Sequence, residues 1–291
     1  MPLHSQQLFR GALFAFILTF VAAGSAAASK YASSAVPVAV IVLVQYLICC
    51  LGMLPWLLQC SLKDLKTDRW LEHLIRGLTG WACFYTYYQA LEHIPLVDAT
   101  MLRTSSPLYV PIIAWLWTGT RVPAIRWISI VIGFAGIYII LQPTGQDMKW
   151  WHLVGMLSGV TLAGSMVATR VLSKTENTSL ILFYYFAISL VCSLPAGISQ
   201  WQPVPLWAWP YLIGIGLSIY SAMWLYTKSL TYTRASIVAP IGYFAVVNSG
   251  LLGWLIWDHA PAMKTAGGIL LVVAAGLLAI YIGAREEKAA R

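Results

Sequence analysis

Charge is what this chain has least of. Only 10% of its 291 residues are Asp, Glu, Lys or Arg, and 59% are hydrophobic, whereas an ordinary soluble domain carries about 25% charged residues. A water-soluble globule is thereby excluded. Cysteine is sparse too. The five, at positions 49, 50, 60, 83 and 192, have neither the number nor the spacing of a disulfide framework or a metal cage, and they read as packing residues. Nor do any two of His4, His73, His93, His152 and His259 stand at the i, i+4 spacing of a metal-binding pair on a helix. There is no glycine-rich phosphate loop and no stretch long enough for a nucleotide-binding domain. The sequence therefore assigns no catalytic residue, no metal, no cofactor and no enzymatic activity.

What is abundant is uninterrupted apolar chain. Ten apolar stretches stand at about 9–30, 37–59, 72–91, 97–118, 123–142, 151–172, 179–199, 207–230, 236–257 and 263–284, each near the roughly 20 residues that carry a helix across a bilayer. Helices are the default spanning structure because they satisfy their own backbone polar groups. The expectation is an all-α integral membrane protein of ten transmembrane helices. Connections are short, the longest being "SLKDLKTDRW" and "SQWQPVPLW". The Pro and Trp clusters "LQPTGQDMKWW" and "QWQPVPLWAWP" read as turns at the headgroup level, where Trp collects.

Lys and Arg orient the bundle, because basic loops stay cytoplasmic. With the N-terminus inside, the cytoplasmic segments hold Arg10, Lys63, Lys66, Arg69, Arg76, Arg121, Arg126, Arg170, Lys174, Lys228, Arg234, Arg285, Lys288 and Arg291, and the outer ones Lys30, Lys149 and Lys264. Fourteen against three predicts both termini in the cytoplasm of a multi-pass protein of a bacterial-type inner membrane. The same bias accounts for the net charge of +8 without a nucleic-acid partner.

An internal echo sets the domain organisation. "GSAAASK" from Gly24 recurs as "GSMVATR" from Gly164, and "YYQALEHIPLVDAT" from Tyr87 matches "LYTKSLTYTRASIV" from Leu225. Trp115 faces Trp254 and Pro123 faces Pro261 at nearly the same shift. A period of about 140 residues holds five spans, and an odd number turns the second half upside down, as in the inverted repeats of many secondary transporters. The halves are expected at 1–145 and 146–291. "GSAAASK" after a basic residue and an apolar run also has the outline of a cleavable secretory signal, but the repeat needs that helix, which is therefore expected to stay.

"ALEHIPLVDATM...SSPLYVPIIAWLW" in the first half and "SLTYTRASIVAPIGYF...GLLGWLIWDHAP" in the second resemble the EamA-type drug/metabolite transporter superfamily nearly end to end. "SKY" at 29–31, "HLIRG" at 73–77 and "LFYYFAISLVCSLP" at 182–195 are similar to its branch of S-adenosylmethionine and related metabolite carriers. The resemblance implies alternating access around a central cavity lined by spans 1, 3, 4, 6, 8 and 9. It also implies an acidic residue after spans 4 and 9, and here Thr120 stands at the first place and Asp258 at the second.

Arg103 is the foremost candidate for a substrate contact. It lies about six residues inside span 4, roughly 9 Å along the axis, and an intramembrane cation faces a wet cavity or a partner. Either its planar fork clasps a carboxylate or phosphate, or it snorkels or pairs with Asp98 or Glu92. Trp81, Tyr85 and Tyr88 share one face of span 3, and Tyr220, Trp224 and Thr227 repeat the pattern in span 8. Such stripes are either packing or walls for a flat group or a methyl-sulfonium or ammonium cation. Gln89, Ser105, Ser106, Tyr243 and Asn248 are polar groups inside apolar spans that need hydrogen-bond partners. Tyr243 falls within one position of Arg103 in the repeat, and Asn248 equally suits an interhelical hydrogen bond. Pro107, Pro111 and Pro240 permit bending beside the cavity, and Arg76 suits an inner gate or packing.

The expected function is secondary transport of a small polar metabolite, an amino acid or a related anionic or zwitterionic solute. The alternatives are uptake of S-adenosylmethionine or another nucleoside-like solute and, in a different class, a non-transporting structural or lipid-handling membrane protein. The expected partners are a small-molecule substrate and membrane lipid, with a proton or counter-substrate as the drive and a monomer or homodimer as the assembly.

Overall fold

The computed structural model describes residues 2–61, 65–119, 150–232, 241–242, 244–258 and 263–289, with scattered positions between 128 and 139. Among these residues the regular structure is helical. The helices are α1 (Pro2–Ala32), α2 (Val38–Gly52, prolonged by a turn at Leu54–Leu57), α3 (Trp70–His93), α4 (Leu96–Thr104) and α5 (Ser106–Thr118). They continue with α6 (Trp150–Leu172), α7 (Thr178–Ser199), α8 (Trp209–Tyr232, after a 3-10 turn at Leu206–Ala208), α9 (Phe244–Trp257) and α10 (Met263–Ala289).

Five helices are long and apolar enough to cross a bilayer: Arg10–Ala32, Val38–Leu57, Trp150–Leu172, Thr178–Ser199 and Leu206–Tyr226. α3 has the length, 24 residues, but carries Glu72, Arg76 and Glu92. The expected fourth span is two helices rather than one, broken at Ser105. Proline explains the break: Pro107 has no N–H to give the Arg103 carbonyl, and Pro111 has none for the Pro107 carbonyl. The expected fifth span, at about 123–142, lies outside the described residues except for a few positions. Large apolar side chains cover the outside, with Leu116 73%, Leu255 75% and Leu206 89% exposed, a surface that suits lipid rather than water.

The internal repeat is written in the backbone. α3 and α8 are both 24 residues long and begin 139 positions apart. The turn after α1, with Ser33 N–H on Ser29 O and Val36 N–H on Ala32 O, recurs 140 positions later as Ser173 on Thr169 and Glu176 on Leu172. α5 and α9 both end in a left-handed residue, Gly119 at φ 65° and Asp258 at φ 54°, whose N–H groups bond Trp115 O and Trp254 O. The backbone equivalent of Asp258 is therefore Gly119, one place before the expected Thr120. Contacts between the halves are reciprocal. Ser189 of α7 donates to Gly77 O of α3 at 3.2 Å, and Cys49 of α2 to Gly216 O of α8 at 3.6 Å. Gly77 leaves room for Ile188 just as Gly216 does for Ile48. The most extensive packing joins α3 to α6 and α1 to α8, pairs that exchange when the halves exchange. Small residues drive such close approach because lipid offers helices no hydrophobic force towards one another.

Candidate functional site

α6 presses on the broken fourth span, bringing Gly159 against the Leu102 carbonyl, Ser105 Oγ and Tyr109. The Ser105 hydroxyl donates to Leu102 O at 2.6 Å, which ties the break to the last turn of α4. Arg103 is thereby held at the break and turned towards α3. Its guanidinium carbon lies 4.7 Å from the ring centre of Phe84 and 4.9 Å from that of Tyr87, close to the Cys83 thiol. Nε of Arg103 is buried without a hydrogen-bond partner. Among the described residues the one ion pair is Arg69–Glu72 at 3.2 Å. Asp98 and Glu92, the acids that could have neutralised Arg103, act instead on Lys30, whose Nζ donates to Leu91 O and, at 2.7 Å, to Ile94 O at the end of α3. Arg103 is thus a cation on two aromatic faces with no carboxylate paired to it among the described residues, an arrangement that can take an anion.

A chain of hydroxyls leads away from the Tyr87 ring beneath this cation. Tyr87 OH and Thr100 Oγ1 are 2.8 Å apart, and Thr100 donates to Ser249 Oγ of α9 at 3.1 Å. Asn248 donates from Nδ2 to Thr19 Oγ1 of α1 at 3.0 Å, an interhelical bond of the kind its place in the span suits.

The other expected residues are dispersed. Trp81 and Tyr85 stack on each other at 5.4 Å and 21°, half-buried, on a face turned roughly 110° from that of Phe84 and Tyr87 at 3.6 residues per turn. Tyr88 is fully buried and donates to Gln45 Oε1 of α2 at 2.6 Å. Gln89 is half-buried, its carbonyl 3.0 Å from His93 Nδ1. Trp224 is 51% exposed and meets the edge of Phe14 at 6.1 Å. Tyr243 and Pro240 lie outside the described residues. Arg76 is buried, hydrogen-bonded to Ser165 of α6 and 3.8 Å from the Tyr185 ring of α7; Tyr185 OH in turn lies 3.2 Å from Tyr46 OH of α2. That set ties four helices together. Phe84, Tyr87, Thr100, Ser249 and Thr19 were not singled out as site residues from the sequence. The available signal was spacing: Phe84 and Tyr87 are three apart on one face, and Thr100 stands one turn before Arg103.

A helical membrane bundle made of two like halves, with a cation at a helix break, is an architecture that suits a small-molecule membrane transporter. The EamA-like transporter family model matches residues 9–142 and again 149–281, and the chain belongs to that family. It is 34% identical over 204 residues to the pseudopaline exporter CntI of Pseudomonas aeruginosa (strain UCBPP-PA14), covering 69% of this chain and 72% of the relative. It is 27% identical to an S-adenosylmethionine uptake transporter of Rickettsia bellii, covering 81% and 80%, and 26% identical to a riboflavin transporter of Vibrio cholerae, covering 94% and 92%. One crystal structure superposes with a TM-score of 0.61 at 20% identity over 97% of this chain and 99% of its own, a likeness of fold alone.

Proposed function

We propose that this chain is a secondary transporter that moves a small anionic or zwitterionic metabolite across the bacterial-type inner membrane by alternating access, with both termini cytoplasmic and an ion gradient or exchange as its drive. The observation that carries the reading is Arg103, a half-buried residue whose guanidinium is seated on Phe84 and Tyr87, with a buried, unpartnered Nε and no acid paired with it among the described residues. A cation so placed is costly unless something pairs with it, and a substrate carboxylate or phosphate fills that place. The break at Ser105 adds freed backbone groups beside it, as in the discontinuous helices of transporters. Arg76, Pro107, Pro111 and Pro240 are the proposed moving parts.

S-adenosylmethionine is a specific second reading within the same class. A relative of this chain bears that name, and the molecule joins an amino-acid carboxylate, which suits Arg103, to a sulfonium, which suits aromatic faces. In proteoliposomes, Arg103→Lys is expected to weaken transport because an ammonium lacks the planar fork, and Arg103→Gln to weaken it further. A charge-assisted bond contributes about 1.5–3 kcal/mol, hence about a 10-fold to 100-fold loss of affinity. A well-folded Arg103→Gln protein with unchanged saturable flux would remove Arg103 from the site. Absence of saturable flux in the wild type across a metabolite library would favour the structural or lipid-handling alternative.

A further inference from the structure

Among the described residues nothing acidic orients the Arg103 guanidinium, which rests beside the Cys83 thiol on the two rings beneath it. Of these, Phe84 has only packing to hold it, whereas Tyr87 carries a hydroxyl. Tyr87 is 2% exposed, Thr100 3% and Ser249 0%, so three hydroxyls are shut away from solvent and must satisfy one another. Because Thr100 donates its one proton to Ser249, Tyr87 is the donor to Thr100. The chain Tyr87 to Thr100 to Ser249 has one direction and one geometry. It also crosses the molecule: Tyr87 and Thr100 belong to the first half, Ser249 to the second. Thr100 lies three residues before Arg103 on α4, so one turn of helix grips the Tyr87 ring twice, by its hydroxyl and on its face.

We propose that Thr100 and Ser249 are positioning residues for the substrate's anionic group, holding the Tyr87 ring under Arg103 and hanging the binding seat of the first half from α9 of the second. This deepens, and rests on, the reading of Arg103 as the anion-binding group. An anion that pulls the guanidinium off the Tyr87 face loosens the hydroxyl chain to α9, and a movement of α9 that breaks the chain loosens the seat. Binding and the relative position of the halves are thus coupled through one hydrogen bond. The bond between Asn248 and Thr19 also links α9 to the first half, but it does not touch Arg103 and serves as the internal control.

The test reads Arg103 without any substrate. In arginine-15N-labelled protein reconstituted in lipid nanodiscs, the Nε–H resonance of Arg103 is identified by its loss in Arg103→Gln. Thr100→Val and Ser249→Ala are each expected to shift or broaden that resonance. Thr100→Ser, which keeps the hydroxyl, is expected to retain it, and Thr19→Ala is expected to leave it in place. An unmoved resonance in both Thr100→Val and Ser249→Ala, or an equal effect of Thr19→Ala, would overturn the proposal. If Thr100→Val does not fold, Ser249→Ala decides alone. The two readings fail separately: flux unaffected by Arg103→Gln sinks the anion-binding role, while the resonance reports the hydroxyl chain whatever the cargo.

Discussion

At the scale of single residues, the site depends as much on what is small as on what is charged. Gly159 sits where an added Cβ would run into the Leu102 carbonyl, with Ser105 Oγ at 3.2 Å and Tyr109 at 3.3 Å. Elsewhere in a helix, Gly→Ala is worth about 1 kcal/mol in favour of Ala. Here the obstacle is backbone, which cannot swing aside, and overpacking of this kind costs about 1–3 kcal/mol. Gly159→Ala is therefore expected to lower the midpoint of thermal unfolding, whereas Gly24→Ala, which meets nothing within 4 Å, leaves it unchanged or raises it. Equal melting of the two variants would show that α6 does not need this close approach. Arg103 was legible in the sequence because a cation inside an apolar run is rare and expensive. Its aromatic partners were not. Spacing along α3 correctly put Trp81, Tyr85 and Tyr88 on one face, but periodicity cannot say which face another helix covers. Phe84 and Tyr87, on the neighbouring arc, were the rings that α4 brought the guanidinium to.

At the scale of elements, proline converted one expected span into two helices. The apolar run from 97 to 118 is continuous in composition, so hydropathy alone draws it as a single crossing, while Pro107 and Pro111 withdraw two donors from its middle. The sequence reading placed flexibility there; the structure places an actual interruption, Ser105 at φ −70° and ψ −2° between α4 and α5. Pro107→Ala returns an N–H to the Arg103 carbonyl and so permits α4 and α5 to join, while a proline in the first turn of α5 costs that helix little, so its loss carries no stability penalty. The variant is expected to melt at the same temperature or higher and to transport about tenfold more slowly, since hinge changes alter kcat and KM together. Transport at the wild-type rate would make the break an incidental kink. The second, third, sixth, seventh and eighth spans were legible to within a few residues, several because their ends carry strong signals. The second helix starts after Pro37, the fourth span after Pro95, and the seventh at Asn177, whose side chain caps Leu180 N–H at 2.8 Å.

At the scale of the whole molecule, a seven-residue echo and a few matched aromatics grew into a repeat that runs through helix lengths, turns and caps. Sequence showed it faintly, yet several positions at which the halves touch keep related residues: Gly77 and Gly216, Ile188 and Ile48, Tyr46 and Tyr185. Reciprocal contacts of this kind arise under a two-fold axis whether that axis lies in the membrane plane or along its normal. The number of crossings per half decides between the two. Five crossings put the linker near Lys149 on the face opposite the N-terminus and turn the second half over; four or six would leave the halves parallel, with that linker on the same side as the start of the chain. The distribution of Lys and Arg favours five. Reporter tags placed near Asp64 and after Arg291 are therefore expected in the cytoplasm, and one near Lys149 on the outer face. A tag at Lys149 found in the cytoplasm with the other two would mean parallel halves, and a cavity reached by rocking one inverted half against the other would lose its geometric basis even if Arg103 still bound its anion.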